Sequence, residues 1–216
     1  MVLLEGAIME NAERSSVFAA IRFRRSVRDY DPRPIEDWKL QVILEAARLA
    51  PSSTNSEPWR LVVVKDAGTR ETIAGAVPRG IAKHSWLKDA PVIIVLCTVP
   101  VPLQKAAQLI GKDYHLVDMG IIGEHVVLTA ADLGIGSCWV GWIDKKSIAK
   151  LLQIPWEIVT LISLGYPKNQ VDMEALREQN SMAEPTQVAG DQGIGGIGAN
   201  KRKAMDDIVF YETGKK

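Results

Sequence analysis

The side chains best suited to chemistry fall in two basic knots and two donor-rich stretches. In Arg24-Arg25-Ser26-Val27-Arg28, three guanidinium groups and a hydroxyl sit within five residues. A guanidinium offers paired N–H donors to oxyanions, and each charge-assisted hydrogen bond contributes about 1.5–3 kcal/mol. Lys201-Arg202-Lys203 is the second knot. A charge run on a surface is usually just solvated. Two such runs, combined with donor-rich loops, describe a pocket for a local anion such as a phosphate. The geometry of the first knot depends on its backbone. In an extended chain Arg24, Ser26 and Arg28 point one way, because side chains alternate. In a helix Arg24 and Arg28 still share a face, but Ser26 leaves it.

The first donor-rich stretch is Pro51-Ser52-Ser53-Thr54-Asn55-Ser56-Glu57-Pro58-Trp59, with four hydroxyls and one amide between prolines. It can bind a polar ligand or serve as a plain connector, and composition alone favours the connector. The second is the glycine-punctuated Gly134-Ile135-Gly136-Ser137-Cys138-Trp139-Val140-Gly141-Trp142. Other chemistries find less support. Of His84, His115 and His125, only the last two share a predicted helix, and their separation of about three turns is too great to chelate one ion. No serine or cysteine has a G-x-S-x-G context. Cys97 and Cys138 form no C-x-x-C pair and read as buried thiols in a reducing compartment. Gly193-Ile194-Gly195-Gly196-Ile197-Gly198 lacks the preceding strand and following helix of a dinucleotide fingerprint, so it reads as a loop.

These groups must be positioned by a chain of 216 residues, enough for one sizeable domain. Lys plus Arg equals Asp plus Glu, 26 against 26, so no global field points to nucleic acid or an anionic membrane. No apolar run approaches the ~20 residues of a membrane span, and residues 1–12 lack the basic start of a signal peptide. Cytoplasm is the expected compartment. Residues 1–14 read as an arm, 15–211 as the domain with a variable loop at 169–200, and 212–216 as a tail.

A first helix starts at Ser15 or Ser16 and runs toward Arg24. A second spans 35–50, with Leu40, Ile43, Leu44 and Ala47 inward and Pro51 as its stop. Leu61 to Lys65 reads as a strand, 66–88 as a polar region with little periodicity, and Val92 to Thr98 as a buried central strand ended by Pro100 and Pro102. Tyr114 to Leu133 forms the longest helix. Its stripe is Val117, Ile121, Leu128 and Ala131, with Gly120, Val127 and Ala130 beside it and Gly134 at its end. Asp144 caps a short helix whose Ile148, Leu151 and Leu152 face inward. Ile158 to Leu164 is another buried strand. The mixture predicts an α+β or α/β layered domain.

Four segments, in order, resemble signatures of the FMN-dependent nitroreductase family. They are Arg24 to Arg28, Ala50 to Trp59, Leu133 to Gly141, and Arg202-Lys203-Ala204-Met205-Asp206-Asp207-Ile208-Val209. The resemblance implies an α+β three-layer sandwich, with a central, mostly antiparallel mixed sheet flanked by helices. It also implies an interlocked homodimer with FMN at the subunit interface. On that pattern Arg24, Arg25, Ser26 and Arg28 contact the phosphate, ribityl chain and pyrimidine edge, and Arg202 and Lys203 complete the phosphate grip. Pro51, Ser52, Ser53 and Asn55 come from the other subunit. Trp139, Val140 and Gly141 lie beside the reactive face of the flavin. The flavin N5 then carries the chemistry, with no catalytic side chain and no metal. Hydride comes from NADH or NADPH, and a small organic acceptor such as a nitroaromatic or quinone is reduced in a ping-pong cycle.

An FMN carrier or sensor of the same fold, or a dehalogenating or flavin-cleaving enzyme, are the alternative readings. The chain departs from the family pattern at Glu57, where glutamine is usual, and at Ala204-Met205, where the pattern has proline and leucine. Segments 102–115 and 169–200 are those expected to shape the acceptor pocket. Tyr114 and Trp142 either stack on an aromatic acceptor or simply pack.

Overall fold

A computed structural model describes residues 16–76, 85–99, 101–109, 111, 113–168 and 208–209. The arm, the 169–200 loop, the tail, His84, and the knot with Arg202 and Lys203 lie outside the described residues.

The organising element is β2 (Val92–Thr98), in which every residue is buried. A strand apolar on both sides needs cover on both faces. Val92, Ile94 and Leu96 enter one core and Ile93, Val95 and Cys97 the other. Around it stand β1 (Trp59–Val64), β3 (Gly136–Val140) and β4 (Glu157–Gly165). Their spatial order is β1-β2-β4-β3, and all three pairings are antiparallel. The register of β2 on β4 shifts once. Leu96 faces Thr160 and Cys97 faces Ile158, which leaves Val159 as the extra residue of a bulge. A parallel bridge from Ser26 to Ser137 adds the arginine segment beyond β3 and makes the pairing mixed.

The first face is covered by α1 (Ser16–Phe23), α2 (Asp37–Arg48) and α5 (Tyr114–Asp132), with α2 and α1 each packed on α5. Its core joins Leu40, Ile43 and Ala47 of α2 to Met119, Ile122 and Val126 of α5 and to Ile162 and Leu164 of β4. The second face is covered by α3 (Ala67–Gly75), a 3₁₀ turn at Ser85–Asp89, and α6 (Lys145–Leu152). Ile73, Leu87 and Ile148 close on Ile158 and Leu161 there. The result is the expected three-layer α+β sandwich. Cys97 and Cys138 are free and buried, and burial pushes the Cys97 thiol up to about 11.

Several local readings need correction. The region taken as aperiodic contains α3. Ile73 is its buried residue, so no apolar stripe marks it. The signal was at its start, where Asp66 accepts from the Thr69 N–H at 2.8 Å. Pro102, read as a strand terminator, opens α4 (Pro102–Leu109), since proline fits the first helical turn. On α5 the buried side is His115, Asp118, Met119, Ile122, Val126, Val127 and Ala130, while Val117 is 61% exposed. That helix is apolar nearly all round, so periodicity alone could not choose between two stripes. Leu151 of α6 likewise faces outward. The 61–65 strand starts earlier, at Trp59, and the strand within 134–142 is confined to 136–140. Gly134, at φ +72°, follows α5 as expected.

One contact fixes α5 on β3. A Cβ built on Gly123 would lie 2.0 Å from Cη2 of Trp139, so the indole rests on bare helix backbone. We expect Gly123→Ala to cost about 1–3 kcal/mol of stability through overpacking. Trp139→Leu should cost less in the Gly123→Ala background than alone; additive losses in denaturant melts would contradict this contact.

The cap of α6 gives a pH dependence. Asp144 accepts from the Ser147 hydroxyl at 2.6 Å and from the Lys146 and Ser147 N–H groups at 3.1 Å. The Ser147 hydroxyl first, and its backbone N–H next, hold this carboxyl below its usual range. A lowered folded pKa means that the unfolded chain binds the proton more readily. The cap therefore stabilises fully above the ordinary aspartate range and fades as pH falls through the folded pKa. The melting-temperature gap between wild type and Asp144→Ala should shrink from about pH 6 to about pH 3. A constant gap would contradict it.

Candidate cofactor site at two edges of the sheet

The arginine segment leaves α1 abruptly. Arg24 still donates its N–H to the Ala20 carbonyl at 2.9 Å, as a helix end does. Two residues later the chain is paired as a strand, with Val27 N–H donating to the Ser137 carbonyl at 2.9 Å. The extended reading thus holds from Ser26, whereas Arg24 sits at the helix terminus. Gly136 permits this approach, because a Cβ there would lie 2.7 Å from Cγ2 of Val27. The following residues are anchored too. Tyr30 bridges to Pro167, and its buried hydroxyl meets Ser163 Oγ at 2.8 Å.

All five residues of the knot are half-buried. Arg25 donates through Nη1 to the Arg24 carbonyl at 2.7 Å, and Arg28 through Nη1 to the Ser26 carbonyl at 3.3 Å. The Arg24 guanidinium makes no ion pair or side-chain hydrogen bond with another described residue. Guanidinium groups clustered at a sheet edge are of the type that binds oxyanions.

Along β3 from this bridge the surface changes character. Trp139 is half-buried on α5, Val140 is buried in the second core, and Gly141 is exposed. Thr160 Oγ1 donates to the Val140 carbonyl at 3.1 Å. A Cβ on Gly141 would meet nothing within 4 Å, so its backbone opens onto free space, and Trp142 beyond it is 50% exposed. From Ser137 to Gly141 the strand covers about 13 Å. An anion grip at one end and open backbone at the other suit an elongated ligand with an anionic end.

Pro51, Ser52, Ser53 and Asn55 lie elsewhere, at the far edge beside β1. Their loop is a strained turn. Thr54, Asn55 and Glu57 all have positive φ, at 54°, 51° and 45°. Each left-handed non-glycine residue costs about 1–2 kcal/mol, least for asparagine. The turn is held by Asn55 N–H donating to the Ser52 carbonyl at 3.0 Å and Glu57 N–H donating to Ser52 Oγ at 2.9 Å. Ser53 N–H donates to the buried Asp118 carboxylate at 2.9 Å. Glu57 carries an exposed carboxylate at the loop's end.

The arginine segment lies beyond β3 and this loop leads into β1, at opposite ends of the order β1-β2-β4-β3. Four strand spacings separate them, roughly 19 Å. Asp118 and Gln104, which hold the loop from behind, were missed in the sequence. The available signal was Pro102 followed by Gln104, a helix start with a residue able to reach back to Val101 N–H.

An α+β sandwich with a cation-rich sheet edge defines a broad class of ligand-binding folds, and comparison with known proteins narrows it. The nitroreductase family model matches residues 21–166. An Archaeoglobus fulgidus protein assigned provisionally as an NADH dehydrogenase/NAD(P)H nitroreductase is 37% identical over 155 residues, covering 69% of this chain and 84% of that one. The crystal structure of a nitroreductase family protein from Clostridium novyi NT superposes with a TM-score of 0.62 at 30% identity, over 73% of this chain and 89% of that one. An FMN-dependent nitroreductase from Clostridium difficile R20291 gives 0.60 at 29% identity, over 70% and 88%. This chain belongs to the nitroreductase family.

The strained turn is open to test. Thr54→Gly removes a β-branched residue from the left-handed region, partly offset by a freer unfolded chain, and should stabilise by up to about 1 kcal/mol. A rise in melting temperature of a few degrees is expected. A fall would place the Thr54 Oγ1 bond to the Ser53 carbonyl above the strain.

Proposed function

We propose that this chain is an NAD(P)H-dependent FMN oxidoreductase that acts as a homodimer on a small organic acceptor. The observation that carries the reading is that the two donor-rich segments stand at opposite ends of the strand order, roughly 19 Å apart across the sheet. A second copy can bring its 51–55 loop to the arginine edge of the first.

The outer faces of α1, α2 and α5 support this pairing. Trp38 is 58%, Leu49 62% and Val117 61% exposed, and Val17 and Ile21 of α1 are exposed as well. Large apolar side chains left exposed on the helices of one layer suit an interaction surface.

FMN fits the residues present. Arg24, Arg28 and Ser26 supply cations and a hydroxyl for its phosphate and pyrimidine edge, with Arg25 adjoining. Gly141 leaves room beside β3 for a flat ring, and Trp139 and Val140 anchor that strand in the two cores. Pro51, Ser52, Ser53 and Asn55 would form the opposing wall. Arg202 and Lys203 would join the phosphate grip on the sequence pattern. When bound, FMN supplies two-electron chemistry, accepting a hydride from NADH or NADPH and passing electrons on to the acceptor. The protein holds the cofactor's charge, orients its ring and keeps one face open. Donor and acceptor use that face in turn, which gives ping-pong kinetics. The buried free thiols agree with a reducing, cytoplasmic setting. Among the described residues, no helix is long and apolar enough to cross a membrane.

Purified protein should carry, or take up, a flavin absorption band that bleaches anaerobically with NADH or NADPH. Failure to bind FMN would sink the proposal, and tight FMN that neither nicotinamide bleaches would favour a carrier. Initial rates at varied donor and acceptor should give parallel double-reciprocal lines, whereas intersecting lines contradict a shared face. Arg24→Ala and Arg28→Ala should each weaken FMN binding by about tenfold or more, the loss of one charge-assisted contact. The melting temperature of the FMN-free protein should move by only a few degrees.

A further inference from the structure

Two buried polar side chains meet behind the 53–57 loop. Asp118 of α5 is 2% exposed and Gln104 of α4 is 3% exposed. Asp118 Oδ1 accepts from the Ser53 N–H at 2.9 Å, and its Oδ2 accepts from Gln104 Nε2 at 2.8 Å. The same Gln104 amide nitrogen donates to Ser56 Oγ at 3.0 Å, and its Oε1 accepts from the Val101 N–H at 3.4 Å. Every amide hydrogen and both carboxylate oxygens are therefore committed. These partners also fix which way the amide points.

This arrangement is poorly explained as a stabilising device. A buried carboxylate loses hydration, and no cation among the described residues forms an ion pair with Asp118. An apolar pair of the same volume would hold α4 on α5 more cheaply. What an apolar pair could not do is grip the loop at two points, the Ser53 N–H and the Ser56 hydroxyl. Those points bracket Thr54 and Asn55 and adjoin Glu57, the three residues with positive φ. A turn of non-glycine residues holds such a conformation only where its surroundings over-determine it.

We infer that Asp118 and Gln104 are positioning residues, a carboxylate–amide clamp that holds the 53–57 turn in its left-handed form and so sets FMN affinity through the loop. The inference rests on the reading of this loop as a wall of the cofactor site. The clamp pre-pays the ordering of the loop, so the cofactor meets donors already in place.

The test exchanges the two groups. Asp118→Asn turns an amide toward an amide, and Gln104→Glu turns a carboxylate toward a carboxylate. The double variant Asp118→Asn/Gln104→Glu restores one carboxylate facing one amide. In it, Val101 N–H, Ser53 N–H and the freely rotating Ser56 hydroxyl all keep acceptors or donors.

Three quantities are read in each: the FMN dissociation constant by fluorescence quenching, amide hydrogen exchange of residues 53–57 without FMN, and the melting temperature. Each single variant should raise the dissociation constant by about tenfold, the loss of one buried hydrogen-bond arrangement. Each should also speed exchange in the loop. The double variant should return both readouts to within about threefold of wild type.

Single variants that melt lower but keep wild-type affinity and loop protection would reduce the pair to ordinary packing and overturn the inference. A double variant no better than the singles would overturn it too. If the single variants fail to fold, the double variant and the milder Ser56→Ala carry the test. Ser56→Ala should then bind FMN more weakly with faster loop exchange, and unchanged values for both would overturn the inference. Wild-type protein that binds no FMN would refute the cofactor reading instead, and loop exchange alone would then decide whether the clamp exists.

Discussion

A sheet buried on both faces can offer function only at its edges and strand ends. That constraint follows from β2, whose seven residues are all buried and feed two separate cores. With helices over both faces, neither face can hold a ligand. The exposed hydrogen-bonding groups lie along β3 and β1, and there the chain places its unusual chemistry. The arginine segment is stitched to β3 through Ser137, and the strained 53–57 turn leads into β1.

The two edges are built on different principles. At the β3 edge the chain uses regular pairing and close approach. Gly136 admits Val27, Gly123 admits the Trp139 ring, and Gly141 is left open. That edge is rigid because the elements behind it interlock. At the β1 edge the conformation is locally unfavourable, and buried polar groups on neighbouring helices impose it. Thr98 and Val99 fix its end by donating to the Pro58 carbonyl, at 3.2 and 2.7 Å. In the homodimer we propose, the cation cluster of one copy and the donor loop of the other form the two walls of one cofactor site.

Much of this was legible in the residues, and particular elements show where legibility stopped. The run at 92–98 read as a central strand because Val92 to Cys97 are all apolar and β-branched Thr98 closes it. The helix at 37–48 carried a clean apolar stripe and a proline stop. The helix at 67–75 was hidden because Ile73 is its buried residue and its start signal is the single Asp66 cap. On the 114–132 helix the length was plain but the orientation was not. Two overlapping apolar stripes compete there, and Val117 of the expected one is left exposed while Ala131 of the same stripe is buried.

By itself the sequence determined the composition of the candidate site. The knot at 24–28, the hydroxyl-rich loop and the glycine strand are local patterns, and local patterns are readable because backbone alternation and turn chemistry act over a few residues. Which way the knot faces required tertiary structure, since a parallel bridge to Ser137 selects the extended form from Ser26 onward. So did the distance between the knot and the loop, which depends on strand order. The participation of Asp118 and Gln104 was likewise decided only there. They are 14 residues apart from each other, and Asp118 is 65 from Ser53. No local pattern can announce a contact made only when separate elements pack. The cation cluster was written in the chain, but its place at the sheet edge beyond β3, away from the 51–57 loop, was decided by the sheet.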